Sequence, residues 1–422
     1  MKRARTAVLS TATAIALALA GCSGAGPAGT PSATGSPTTK TPSATTPSST
    51  TPSPTTPSTT PSPTGPSKSP SPTPSPTKAS ASPTAAPVHG SVRVVRTVAE
   101  GLNVPWGLAL LPGNELLVTS RDTRTITRVN LKTGHKTPVG EISQARSNGD
   151  QGGEAGLLGL VLSPDFAHDH RLYVYYSTDN DNRIARLTYD PTAKPGHQLH
   201  GLHVIVTGIP HGLHHNGGRL AFGPDGMLYA TTGESGVPEL SQDKSSLGGK
   251  ILRMTPSGAP APGNPDPDSL VWTYGHRNVQ GLAWDPAGRL WASEFGDRDV
   301  DELNLIKKGH NYGWPATQGK TDIAKYTSPV AQWGTEEDSP SGIAYAGGSI
   351  WMAALKGERL WRIPLDGAHT AGPPEDFLKD RFGRLRSVIA LDDHTLLITT
   401  SNTDGRTTPE SGDDRIIELS VT

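Results

Sequence analysis

The sequence predicts an all-β fold, a six-bladed β-propeller of four-stranded antiparallel blades preceded by a disordered linker. One motif, small-Leu-Ala-x-x-Pro-x-Gly-x-Leu-hydrophobic-x-Thr/Ser, recurs at intervals of about 45 to 62 residues, a period typical of propeller blades. The copies begin at Trp106, Leu158, Gly218, Gln280, Ser341 and Arg386. Alternating strand patterns dominate, and no segment has a long helical periodicity. We expect the first strand, SVRVVRTV, to share a blade with the last, DRIIELSV, and so to close the ring.

The first 21 residues are typical of an export signal. A basic start precedes an apolar run from Thr11 to Ala20, which is too short to span a membrane. The sequence Leu19-Ala20-Gly21-Cys22 resembles a bacterial lipobox, so we expect residues 1–21 to be removed and Cys22 to be lipidated. The alternative is ordinary signal cleavage beside an incidental cysteine. The prediction is therefore an exported protein, lipid-anchored to the outer face of the bacterial cell membrane.

Two further segments follow the signal. Residues 22–88 are, after the cysteine, almost entirely Ser, Thr, Pro, Ala and Gly, and such a segment cannot bury enough apolar surface to fold. Residues 89–422 form the predicted propeller, which stays one domain because propellers grow by adding blades. The net charge of −1 and the lack of a basic stripe argue against nucleic acid as a partner.

The phase of the repeat places charged residues from distant segments at one face. In a four-stranded blade, the loop before the first strand and the loop after the second open on the same side. Before or at the start of first strands lie His215, Arg277, Asn278, Arg384 and Arg386, and after second strands lie Glu234, Gly296 and Lys356. A histidine with several cations and carboxylates at one channel mouth is suited to a polyanionic cofactor or substrate.

His215 is the candidate general base, because an imidazole near its ordinary pKa can deprotonate an alcohol. A histidine in such a turn is, taken alone, more often structural. The neighbouring His211 and His214 also permit a metal site, although adjacent His214 and His215 lack the i,i+4 spacing of helical zinc ligands. Arg384 and Arg386 alternate in the way that exposed strand residues do, and Lys356 in a Leu-Lys-Gly turn is expected to be solvated.

Several motifs, all in one order, resemble a known family. They are GEAGLLGLVLSPDF, HHNGGRLAFGPDG, YGHRNVQGL, SEFGDRDVDELNLIKKGHNYGWP, ALKGERLWRI and RLRSVIA. The chain resembles the soluble quinoprotein glucose dehydrogenases and the related aldose-sugar and sorbosone dehydrogenases from about residue 95 to the end. The resemblance implies a six-bladed propeller that carries pyrroloquinoline quinone (PQQ) and calcium.

The resemblance also implies roles for individual residues. His215 matches the catalytic base, and Arg277 matches the arginine near the reactive carbonyl of the quinone. The cofactor-binding positions are matched by Arg277, Asn278, Lys356, Arg384 and Arg386. The backbone carbonyls of Gly296 and Asp297 match the calcium ligands, and hard oxygen donors are those that calcium prefers.

Three departures from the family pattern put glucose itself in doubt as the substrate. Glu154 stands where the glucose dehydrogenase has a glutamine near the sugar, His214 replaces an aspartate and Asp297 replaces a proline. The pair Asp301-Glu302 permits a second calcium site, but we interpret it as a solvated acidic turn.

The resemblance thus implies PQQ- and calcium-dependent oxidation of aldose sugars, anomeric hydroxyl to lactone, or of related alcohols. His215 would remove the hydroxyl proton while a hydride passes to the quinone. The sequence has one cysteine and no haem-attachment motif, so we expect an external electron acceptor. The alternatives are a non-catalytic propeller that binds a glycan or protein, and a calcium-dependent lactonase, which would need channel-facing carboxylates more than cations.

Overall fold

The computed structural model describes residues 85–422, and they form a six-bladed β-propeller, which confirms the predicted fold. Strand β1 spans Val92–Ala99. Blade 1 contains β2 (Pro105–Leu111), β3 (Glu115–Ser120), β4 (Thr125–Asn130) and β5 (Lys136–Glu141). Blade 2 contains β6 (Leu157–Leu162), β7 (Arg171–Ser177), β8 (Asn182–Tyr189) and β9 (Leu199–Ile209). Blade 3 contains β10 (Leu220–Phe222), β11 (Leu228–Thr231), β12 (Lys250–Met254) and β13 (Val271–Tyr274).

The remaining blades follow in chain order. Blade 4 contains β14 (Asn278–Trp284), β15 (Leu290–Phe295), β16 (Val300–Ile306) and β17 (Ala331–Gly334). Blade 5 contains β18 (Pro340–Ala346), β19 (Ser349–Ala354) and β20 (Arg359–Asp366), and its outer strand is split into β21 (His369–Thr370) and β22 (Glu375–Phe377). Blade 6 contains β23 (Leu385–Asp392), β24 (Thr395–Thr400) and β25 (Ile416–Val421). The helical elements of the described residues are short: α1 (Phe166–Asp169) and the 3-10 turns Gly149–Gln151 and Pro238–Ser241.

The ring closes through strands from the two ends of the domain. Strand β1 pairs antiparallel with β25 and becomes the outer strand of blade 6, with Val92 opposite Val421. This confirms the predicted pairing of the first strand with the last.

The core lies between the blades rather than in one central cluster. Each pair of neighbouring blades encloses its own cluster of buried apolar residues, so six clusters form a ring. Trp291 and Trp351 are among the fully buried side chains of these layers. The centre of the ring is thereby left to polar residues.

The small residue of the repeat motif is explained by the close packing of the innermost strands. A Cβ added at Gly159 would lie 2.1 Å from the carbonyl oxygen of Gly218 in the next blade. A Cβ at Gly281 would lie 2.4 Å from that of Ser341. Backbone oxygen atoms cannot move aside as flexible side chains do, so only glycine allows the strands to approach this closely.

The predicted signal segment, Cys22 and most of the linker lie outside the described residues, so these assignments remain predictions. Residues 86–88, at the predicted end of the linker, contact blade 5. Ala86 donates its N–H to the carbonyl of Leu365, and Arg362 donates to the carbonyl oxygens of Pro87 and Val88. In residues 85–422, no helix is long and apolar enough to cross a membrane.

Candidate active site

His215 lies in the loop before β10, at the mouth of the channel. Its backbone has a left-handed conformation (φ 57°), and its N–H donates to Oε2 of Glu154 at 3.1 Å. Its Nδ1 hydrogen-bonds to the carboxylate of Glu234, a buried residue in the loop after β11. With Nδ1–H donated to a carboxylate, Nε2 of the neutral ring is left as the proton acceptor. The side chain is 22% exposed, so a substrate can reach that nitrogen.

Glu234 also connects the histidine to Arg277. The backbone N–H of Glu234 donates to the carbonyl of Arg277 at 2.9 Å. The guanidinium of Arg277 donates to the carbonyl of Gly296 and, at 3.1 Å, to Oδ1 of Asp297, and it lies 5.4 Å from the centre of the Trp314 ring. Glu234 therefore holds the imidazole of His215 and the backbone of Arg277, while Gly296 and Asp297 hold the Arg277 guanidinium.

Asn278 has a supporting position. It is buried, and its side-chain oxygen accepts a hydrogen bond from the N–H of Gly217 at 3.0 Å. The amide thus fixes the turn that carries His215.

Four of the sequence-predicted residues line one cavity of about 360 Å³, a volume within the usual range for small-molecule sites. They are Glu154, Lys356, Arg384 and Arg386, and the other lining residues are Gln280, Phe295, Ser339, Leu355 and Arg406. His215, Arg277 and Asn278 are not among the lining residues. His215 is joined to the cavity through Glu154, whose Oε2 accepts its backbone N–H.

Arg384 and Arg386 are buried, so their alternation is not that of exposed strand residues. Their side chains point towards the polar channel and share the carboxylate of Asp404, at 3.1 Å and 3.7 Å respectively. Arg386 also donates to Oγ of Ser401 at 3.0 Å. Burial lowers the pKa of Arg386 to about 9, although Asp404 opposes this effect. Burial raises the pKa of Asp404, but the two arginines outweigh it and the net direction is downward.

Lys356 lies at the rim of the cavity. Its side chain is about half exposed and its Nζ is 2.5 Å from a carboxylate oxygen of Glu336, which is more exposed still. Because this ion pair is in contact with water, it is weak, and Lys356 can turn to an anion in the cavity.

Glu154 is paired with a residue that the sequence does not reveal. Its Oε1 accepts a hydrogen bond from the guanidinium of Arg406 at 3.2 Å, across blades 2 and 6. Arg406 and Asp404 are thus functional candidates that the sequence analysis misses. Glu234 differs from them, because its position after a second strand already placed it at this face.

The predicted calcium ligands have suitable chemistry but not a closed site. The carbonyl of Gly296 and the carboxylate of Asp297 offer hard oxygen atoms, and Arg277 donates to both. Asp301 and Glu302 are buried in β16, so their interpretation as a solvated turn is wrong. Asp301 accepts from the N–H of Gly296 at 2.7 Å and so supports that turn. In residues 85–422, no group of three or more His, Cys, Asp or Glu side chains could hold a metal ion.

Solved dehydrogenases share this architecture. The PQQ-bound form of aldose sugar dehydrogenase from Streptomyces coelicolor is 59% identical and covers 80% of this chain and 100% of its own, with a TM-score of 0.79. The chain is accordingly a propeller oxidoreductase of the sugar dehydrogenase class. It belongs to the glucose / sorbosone dehydrogenase family, which it matches over residues 102–409.

Curated relatives support the same family. An aldose sugar dehydrogenase of Escherichia coli strain K12 is 30% identical over 354 residues, which are 76% of this chain and 92% of that protein. Quinoprotein glucose dehydrogenase B of Acinetobacter calcoaceticus is 32% identical over 289 residues, which are 60% of this chain and 59% of that protein. The resemblance found in the motifs is confirmed.

Proposed function

We propose that this enzyme oxidises the anomeric hydroxyl of aldose sugars, or a related alcohol, with PQQ as cofactor and calcium beside it. The observation that carries the proposal is the pairing of a carboxylate-held histidine with a cation-lined cavity of about 360 Å³. The relative from Streptomyces coelicolor, solved in a PQQ-bound form, supports the choice of cofactor.

The cavity suits a flat tricarboxylate. Arg384 and Arg386 offer planar guanidinium groups, which can pair with carboxylates through two hydrogen bonds, and Lys356 adds a third cation at the rim. Phe295 and Leu355 supply apolar surface for an aromatic ring system. Asp404 neutralises only part of the charge of the two arginines, so the site keeps an excess of positive charge for an anion.

The protein residues would manage the proton and the developing charge. Nε2 of His215 accepts the hydroxyl proton, and the Glu234 carboxylate stabilises the imidazolium that results. The bound quinone supplies the acceptor for the hydride that leaves the same carbon. Arg277 would stabilise negative charge on the bound cofactor, and an external acceptor would take up the two electrons.

Calcium would be held by the backbone carbonyls of Gly296 and Asp297, which are hard oxygen donors. A cation bound at the Gly296 carbonyl would compete with the hydrogen bond from Arg277 and would supply Lewis-acid polarisation.

Reconstitution tests cofactor, metal and reaction together. Protein treated with chelator is expected to give little aldose oxidation with PQQ and an artificial electron acceptor, and calcium should restore it. The measurements are the absorbance spectrum of the bound quinone and the rate of dye reduction, with magnesium as the matched control because it prefers a smaller octahedral site. Full activity in calcium-free buffer would contradict the metal assignment. The absence of sugar oxidation with PQQ and calcium both bound would contradict the function.

We further propose that the protein is a lipid-anchored exported enzyme, on the basis of the Leu19-Ala20-Gly21-Cys22 sequence. Replacing Cys22 by Ser should move the protein from the membrane fraction into the medium, since serine cannot carry the thioether-linked lipid. Immunoblots of the two fractions measure this, and identical partitioning of the two proteins would reject the anchor.

A further inference from the structure

One loop contacts both sides of the candidate active site. Residues 401–415 connect β24 to β25, and Asp404 and Arg406 lie two positions apart in that loop. Asp404 holds the buried Arg384 and accepts the backbone N–H of Arg406 at 3.1 Å. The guanidinium of Arg406 reaches away from the arginines, to Glu154 and to the carbonyl of Gly152, at 3.2 Å in each case.

Glu154 depends on Arg406 for its charge. Burial raises the pKa of this carboxyl, but Arg406, followed by His215 and His214, outweighs burial and the net direction is downward. Glu154 in turn raises the pKa of Arg386, across the cavity, although burial of that arginine outweighs the effect. Arg406 is therefore the principal counter-charge that keeps Glu154 ionised.

Both partners retain unused hydrogen-bonding capacity towards the cavity. Each carboxylate oxygen of Glu154 has one partner, Arg406 on Oε1 and the N–H of His215 on Oε2, and each oxygen can accept another. Only one nitrogen of the Arg406 guanidinium donates to Glu154 and Gly152, so further N–H groups remain. The two side chains are 29% (Arg406) and 23% (Glu154) exposed.

We propose that Arg406 is a substrate-positioning residue that holds Glu154 as an ionised acceptor, and that the pair binds neighbouring hydroxyls of the sugar. A vicinal diol offers donors to the carboxylate and acceptors to the guanidinium, which matches this pair. Since Glu154 also holds the backbone of His215, a sugar bound here lies next to the base. The inference rests on the proposed function and adds to it the residue that keeps the carboxylate of Glu154 ionised.

Arg406→Met tests the role, because methionine keeps an extended side chain without the charge. We expect kcat/KM for an aldose to fall about 10- to 100-fold, mainly through KM, as is usual for loss of a charge-assisted contact. The PQQ titration should stay within about twofold of the wild type, because the arginines that hold the cofactor are untouched. Arg406→Lys, which keeps the charge but not the planar guanidinium group, should recover part of the lost kcat/KM.

The pH profile gives a second readout that a purely structural role would not move. Without Arg406, the pKa of Glu154 rises, so the ionised acceptor is lost at a higher pH as the pH falls. The acidic limb of kcat/KM should therefore shift upward in Arg406→Met. In the double variant Arg406→Met/Glu154→Gln, that shift should vanish, because no carboxyl remains there to titrate.

The possible results distinguish a substrate-positioning role of Arg406 from a cofactor contact and from failure of the proposed function. Unchanged KM and pH profile in Arg406→Met overturn the proposal, and weakened PQQ binding with unchanged KM overturns it by making Arg406 a cofactor contact. If Arg406→Met does not fold, Glu154→Ala tests the pair from the other side, because it removes both acceptor oxygens, and it must raise KM for aldoses. A wild-type enzyme that oxidises no aldose with PQQ and calcium contradicts the proposed function instead, whatever the variants do.

Discussion

Replacing His215 by Gln is expected to lower sugar oxidation by about 10²–10⁴-fold, the usual contribution of a positioned general base. Glutamine keeps polarity and approximate reach but cannot accept the substrate proton at neutral pH. Binding of PQQ and calcium should survive, because the proposed contacts to them come from arginines, Lys356 and backbone oxygen atoms. Steady-state kinetics on the reconstituted protein, beside a PQQ titration, measure the two effects separately.

The matched control is His214→Gln, the same change one residue earlier. His214 contacts the carbonyl of Gly152 at 3.2 Å, and we expect a much smaller loss of turnover there. Near-normal turnover in His215→Gln would move the base role to Glu154 or His214. Loss of PQQ binding in that variant would instead make His215 a cofactor contact.

Changing Arg384 and Arg386 together to Ala is expected to weaken PQQ binding by several decades. Each lost charge-assisted contact is worth about 1.5–3 kcal/mol, and both arginines line the cavity. Fluorescence or absorbance titration of the apo protein with PQQ measures the change. An unchanged titration would show that the cofactor lies elsewhere.

A control for stability is needed because the double change leaves Asp404 buried without its two partners. The triple variant that also carries Asp404→Asn removes this stranded charge and should regain thermal stability. If the triple variant is stable and still binds PQQ poorly, the loss of PQQ affinity is caused by removal of the arginines and not by unfolding.

The fold and most of the site could be predicted because both depend on the repeat. The motif fixes where each first strand begins, so His215, Arg277 and Lys356 fall on one face whatever the intervening loops do. The small residue in the motif also has a local cause, the contact that Gly159 and Gly281 make with the next blade. Periodic features of this kind can be recognised from a single sequence.

The residues that were missed lack any local signal. Arg406 stands in a polar stretch rich in Gly and Thr that is typical of a surface loop, and its contact with Glu154 joins distant blades. The alternation around Arg384 and Arg386 is real, but in a propeller the innermost strand faces a polar channel, so alternation does not distinguish channel from solvent. The burial of Asp301 was not predicted for a similar reason. A carboxylate can be buried when backbone N–H groups donate to it, as that of Gly296 does here, and the sequence does not show such contacts.

The pairing of β1 with β25 has a consequence for how the protein matures. During synthesis, β1 emerges before the strands of blades 1 to 5 and β25 emerges after them, so blade 6 can be completed only once β25 has been made. A prematurely terminated chain would display unpaired strand edges, which invite aggregation and proteolysis. Ring closure therefore restricts the compact, protected form to molecules that contain β25.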